Sequence, residues 1–179
     1  MDGGVVSKLD RVRTSYLGLV VVCFQPNFLR HLDTSAVDDL VERHIQLLRR
    51  CAETQAPVAI LEYSTANSPL ENSLHPRVAK LVATLKTVQT FRFRDNERLA
   101  TFGSAAWLNS YGASGAVVTG MYASDSVLTV TNLLVAQRQN VVVPLDCVSD
   151  HPNSQHLPRR DRVVYVPSYT DALPLLRKQ

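Results

Sequence analysis

The chain has 179 residues, 45% hydrophobic and 20% charged, with a formal net charge of +3. That length and apolar content suit one domain with one core, and the lack of low-complexity tracts or like-charge runs excludes a disordered chain. Lysines and arginines are scattered rather than clustered, which argues against nucleic-acid binding, and no apolar run approaches the ~20 residues that cross a bilayer.

Residues 1–15 are polar and are expected to form an N-terminal arm, with a single domain over 16–179. The arm lacks an apolar stretch of signal-peptide length, so a cytoplasmic protein is expected. Cys23, Cys51 and Cys147 are an odd set without metal-site spacing, and read as reduced thiols.

LGLVVVC (17–23) is apolar at every position, the pattern of a parallel strand covered on both faces. The segment 33–55 is the clearest helix: Thr34 or Ser35 is placed to cap it, acids follow in the first turn, and Val37, Leu40, Val41, Ile45 and Leu48 make one apolar stripe. PVAILEY (57–63) is a second buried strand, followed by the polar loop STANSPLENSLH. A short helix opens at Pro76 and carries Val78, Leu81, Val82 and Leu85. VQTFRF (88–93) has strand chemistry, and Leu99 to Tyr111 reads as a helix stopped by Gly112. A strand at 115–120, a helix at 126–139 and a strand at 140–145 follow. Two prolines and weak periodicity make 151–162 a loop with at most one turn. RVVYVP (162–167) is the last strand, and TDALPLLRKQ closes the chain as a short amphipathic turn or helix.

Alternating strands and helices, with five or six near-continuous Val/Ile strands, specify an α/β fold. The expected architecture is a three-layer αβα, doubly wound, mainly parallel sheet of about six strands. Ligands in such sheets bind beyond the carboxyl ends of the strands, where strand order reverses. The loops there contain no glycine-rich phosphate cradle, so no nucleotide is implied, and no cofactor is expected. His31, His44, His75, His151 and His156 read as surface histidines.

Two segments carry a family resemblance. LVVVCFQPNF resembles the first strand and turn of the isochorismatase-like hydrolases, of the cysteine hydrolase superfamily, through Gln25 and Phe28. AVVTGMYASDSVLTVTNLLVAQRQNVVVPLDCVSD is similar to that family's most characteristic segment through Thr119, Gly120, Val127, Leu128, Val141, Val142, Val143, Asp146 and Asp150. The resemblance spans about Leu17 to Val166 and implies the same three-layer fold.

It also implies a chemistry. In that family a helix-N-terminal Cys attacks the substrate, an Asp ending the first strand moves the proton, and a Lys after the third strand polarises the site. Here the Asp position is Cys23 and the Cys position is Ser126. The Lys position falls in RFRDNER, where Arg94 is the nearest base and a gap-free count lands near Asp95 or Asn96. The family's Thr-Asp turn becomes Ala123-Ser124. A thiol is mostly protonated at neutral pH and replaces a carboxylate poorly, and a hydroxyl needs a base that a thiol does not. Cys23, Arg94 and Ser126 are therefore the catalytic positions, with the family's chemistry expected to be lost. Gln25, Phe28, Glu62, Tyr122, Ala123 and Ser124 are expected around the vestigial pocket.

The nicotinamidase branch of the family binds a metal after its second strand. In this chain Glu62, Glu71 and His75 stand there without Asp-x-His spacing, and no metal is expected. The functional expectation is a protein that binds a small molecule or a protein partner. The alternative is an active hydrolase of a small amide, ester or vinyl ether with a rearranged site using Cys23 or Ser126. A homo-oligomer, dimer or higher, is expected, with Trp107, Tyr111 and Tyr122 as candidate interface aromatics; nucleic acid and membrane are not expected partners.

Overall fold

A computed structural model describes residues 12, 13, 15–64, 73–94, 97–149 and 160–177. The elements are β1 (Leu17–Val22), α1 (Pro26–Leu29), α2 (Thr34–Thr54), β2 (Val58–Tyr63), α3 (Pro76–Val82), β3 (Val88–Phe93), α4 (Glu97–Ser110), β4 (Gly115–Gly120), α5 (Ser126–Ala136), β5 (Asn140–Pro144), β6 (Val163–Val166) and α6 (Tyr169–Ala172). Short 3-10 turns at Leu145–Cys147 and Leu173–Leu175 follow β5 and α6.

All six strands run parallel in the order β3-β2-β1-β4-β5-β6. The chain winds outward from β1 to β3, returns to β4 beside β1, then winds outward to β6. Right-handed crossovers place the helices leading one way on one face and those leading the other way on the opposite face. Accordingly α2 packs with α3 on one side, and α4 with α5 on the other. Covered from both sides, β1 and β4 are buried at every position, which is why their sequences are unbroken apolar runs rather than alternating ones.

Strand order reverses between β1 and β4, whose last residues, Val22 and Gly120, are register partners. Gly120 has φ 117°, and a Cβ there would land on the Val22 carbonyl oxygen. Only glycine permits that approach, so it fixes how the two strand ends leave the sheet.

Several boundaries differ from the sequence reading. The α2 cap is Asp33, neither Thr34 nor Ser35: its carboxylate accepts from the Ala36 amide at 2.8 Å, and Asp38 and Asp39 fall in the second turn. The helix expected at 126–139 ends at Ala136, and the strand expected at 140–145 ends at Pro144 because the chain tightens into the 3-10 turn. The one-turn α1, started by Pro26, was not anticipated. Of the arm at 1–15, Val12 is buried in the core and the Arg13 carbonyl accepts from Arg177 at 2.7 Å. The loop expected over 151–162 lies almost wholly outside the described residues, as do Glu71, Asp95, Asn96, Asp150, His151 and His156.

His44 corrects the surface assignment. It sits at the centre of the α2 stripe, between Val41, Ile45 and Leu48, and is fully buried. Its ring stacks on Phe24 with centroids 3.9 Å apart, and Nδ1 bonds the Leu40 carbonyl at 2.7 Å. Burial pushes its pKa down to about 4, partly opposed by the Leu40 carbonyl and reinforced by nearby Arg43. His75 is half-buried rather than surface-exposed, and burial lowers its pKa as well. All three cysteines are free and buried.

Candidate functional site

The site follows from how β1 ends. Cys23, the first residue beyond the strand, has φ 48°, a left-handed conformation costing a non-glycine residue roughly 1 kcal/mol. Its neighbours hold it there. The Cys23 amide donates to the Leu61 carbonyl at 2.8 Å, and the Gln25 amide donates to the Cys23 carbonyl at 2.8 Å. Phe24 is fully buried against His44, and its carbonyl accepts from the His75 amide at 2.9 Å. The Gln25 side chain then extends the sheet: Oε1 accepts from the Tyr63 amide at 2.8 Å and Nε2 donates to the Tyr63 carbonyl at 2.9 Å. A buried carboxamide thus ties the turn after β1 to the end of β2.

Beside this turn lies a depression of about 340 Å³ lined by Cys23, Phe28, Tyr63, Phe93, Arg94, Asp125 and Ser126. The three positions singled out from the sequence, Cys23, Arg94 and Ser126, meet in it. The Cys23 side chain is nearly closed off, with the residue 2% exposed, while Arg94 and Asp125 are exposed and Ser126 is half-buried.

Aromatic rings build one wall. Phe28 meets Tyr63 and Tyr122 edge-on at 6.1 and 5.7 Å, and Tyr63 meets Phe93 at 5.7 Å. The Tyr122 hydroxyl donates to the Phe28 carbonyl at 3.2 Å, fixing α1 over the turn after β4. That turn is held by the Met121 amide on the Val22 carbonyl at 2.9 Å and the Ala123 amide on the Ser149 carbonyl at 2.9 Å. Asp125 stands at the N-cap of α5, yet its side chain makes no cap bond. The residue is part of the lining of the depression.

Of the expected pocket residues other than Phe28, Tyr122 packs on Phe28 from outside the lining, and the rest do not line the depression either. Gln25 is fully buried behind it, and Ala123 is buried on the side facing Val143 and Tyr165. Ser124 is exposed outside the lining. Glu62 points elsewhere: Oε1 accepts from the Leu74 amide at 3.1 Å, and Oε2 pairs with Arg92 Nε at 3.1 Å. Among the described residues no group of three His, Cys, Asp or Glu side chains is placed to hold a metal.

Three lining residues escaped the sequence reading: Tyr63, Phe93 and Asp125. The first two were legible in principle, since Tyr63 and Phe93 end parallel strands and are register partners. Asp125 stands at the N-cap, outside the helix it precedes, so helical spacing does not decide which way it faces.

The chain matches no sequence profile of a known protein family, and no curated protein matches it by sequence. Solved structures do match. N-carbamoylsarcosine amidase from Thermoplasma acidophilum superposes with a TM-score of 0.68 at 14% identity, over 84% of this chain and 95% of that one. An isochorismatase family protein from Burkholderia thailandensis gives 0.61 at 15% identity, over 89% and 95%. The YcaC gene product of Escherichia coli, an octameric hydrolase of unknown specificity, gives 0.61 at 12% identity, over 83% and 68%. The fold is that of the isochorismatase-like hydrolases. At such identities the likeness establishes the fold and agrees with the segment resemblance; the chemistry must be argued from the depression itself.

Proposed function

We propose that this chain keeps the isochorismatase-like fold without the family's Asp-Lys-Cys hydrolysis and serves as a binding protein. The observation that carries this reading is the nearly closed Cys23 at the end of β1. A proton-moving carboxylate is expected at that point, and a thiol with 2% exposure stands there instead. Ser126 has no histidine or lysine to deprotonate it: none of those described lines the depression. What remains is a ring-lined hollow with one guanidinium, Arg94, and one carboxylate, Asp125. A guanidinium fork beside edge-on aromatics suits a small flat molecule bearing an anionic group.

The test has two arms. Thermal shift and calorimetry with small aromatic carboxylates should show saturable binding that Arg94→Ala removes. Incubation with nicotinamide, isochorismate and N-carbamoylated amines should show no turnover. The second reading, a hydrolase with a rearranged site, is favoured by the meeting of Cys23, Arg94 and Ser126 in one depression. Turnover that Cys23→Ala or Ser126→Ala abolishes would establish it and overturn the first.

The same proposal includes a cytoplasmic setting, in keeping with three free buried thiols, and a symmetric homo-oligomer, in keeping with the octameric relative. Among the described residues no helix is long and apolar enough to cross a membrane.

A further inference from the structure

The depression runs across the carboxyl edge of four strands rather than sitting at one strand end. In sheet order, Phe93 and Arg94 come from the end of β3, Tyr63 from the end of β2, Cys23 from just beyond β1, and Asp125 and Ser126 from the turn after β4. With neighbouring strands about 4.8 Å apart, β3 and β4 are separated by roughly 14 Å. An arginine beyond β3 and an aspartate beyond β4 therefore stand at opposite ends of one trough. The rings of Phe93, Tyr63 and Phe28 lie between them.

Among the described residues neither Arg94 nor Asp125 makes an ion pair or a side-chain hydrogen bond, with each other or with any third group. Elsewhere the arginines are matched: Arg43, Arg50, Arg77 and Arg92 each have a carboxylate at 3.1–3.8 Å. The two ends of the trough thus hold opposite charges that the fold itself leaves unmatched.

We infer that the ligand of this trough is an aromatic zwitterion, with a carboxylate at one end of the ring for Arg94 and an ammonium group at the other for Asp125. A plain aromatic carboxylate gains at Arg94 but adds negative charge to a hollow that already holds Asp125, and a plain amine does the reverse beside Arg94. A molecule carrying both signs meets both groups and leaves the hollow neutral. Spacing selects further. An α-amino acid carries both charges on one carbon and meets one end at a time, whereas charges at opposite ends of a ring meet both while the ring lies against Phe28, Tyr63 and Phe93. The volume of about 340 Å³ is at the low end of the roughly 300–1,000 Å³ of small-molecule sites, which suits one ring with two short arms.

The inference rests on the binding role proposed above and adds Asp125 as the residue that sets specificity. The experiment is calorimetric titration of the full chain with 4-(aminomethyl)benzoate, 4-methylbenzoate, 4-methylbenzylamine and phenylalanine. Arg94→Gln and Asp125→Asn are titrated beside the parent, with circular dichroism confirming the fold of each. Both groups are exposed, so 4-(aminomethyl)benzoate should bind the parent about three- to fivefold more tightly than 4-methylbenzoate, the range of one exposed charge pair. Asp125→Asn should remove that margin, and Arg94→Gln should weaken both benzoates. Phenylalanine should bind no more tightly than 4-methylbenzoate. If 4-methylbenzoate binds the parent as tightly as 4-(aminomethyl)benzoate, the zwitterion is overturned and the anion site stands. A margin that survives Asp125→Asn, or phenylalanine matching 4-(aminomethyl)benzoate, likewise overturns the end-to-end assignment. No binding by any of the four overturns this inference and the binding reading together.

Discussion

Acidification tests the packing beneath the site through His44. In the folded chain its ring is fully buried, stacked on Phe24 at 3.9 Å, with Nε2 enclosed and unpartnered. An imidazolium there has neither solvent nor an acceptor at Nε2, and Arg43 adds repulsion, so the folded state holds the ring neutral down to about pH 4 against an ordinary 6.5. The unfolded chain takes up the proton first. Its stabilising contribution is therefore complete above pH 6.5 and is lost as pH falls from 6.5 through about 4. At 1.36 kcal/mol per pH unit, that window of about 2.5 units is worth about 3 kcal/mol, a large fraction of a typical domain's stability. His44→Phe keeps a ring against Phe24 and removes the titration. Its direct cost should stay below about 1.5 kcal/mol, because the Leu40 carbonyl retains its helical partner. Urea unfolding of both proteins, from about pH 7 to about pH 4, gives the difference free of other titrating groups. The parent should lose about 3 kcal/mol more than His44→Phe across that range. Parallel loss in the two proteins would refute the buried neutral histidine.

Gly120→Ala combines a φ of 117° with a Cβ on the Val22 carbonyl, and should lower unfolding stability by at least about 2 kcal/mol in urea titration. Gln25→Leu preserves volume but strands the Tyr63 amide and carbonyl, and should cost about 2–3 kcal/mol by the same measurement; no loss would mean water substitutes for the carboxamide. Iodoacetamide followed by mass spectrometry should label none of the three cysteines quickly in the native protein. Cys23 is nearly closed off, and burial pushes the Cys51 and Cys147 thiols well above their usual range. Labelling of Cys23 at the rate of a free thiol would reopen it as a nucleophile.

The sequence alone determined the layering. Runs such as LVVV and VAIL have no polar side to offer solvent, so each strand must be covered on both faces. Helices between such strands leave few alternatives to a doubly wound parallel sheet. That topology also brings Cys23 and Ser126, which follow the ends of the neighbouring strands β1 and β4, to the same edge of the sheet. Tertiary structure decided what those ends contain. Hydrophobicity scores histidine and glutamine as surface residues, yet His44 is enclosed by a ring twenty positions away in sequence and Gln25 by a backbone 38 positions away. Local pattern cannot carry such partners, because the pairing exists only once β1, β2 and α2 have docked. The same holds for the walls of the depression. Tyr63 and Phe93 meet through the parallel register of β2 and β3, and Asp125 lines the hollow because it stands outside the helix it precedes. Periodicity reports whether a side chain is buried; only the folded chain reports against what.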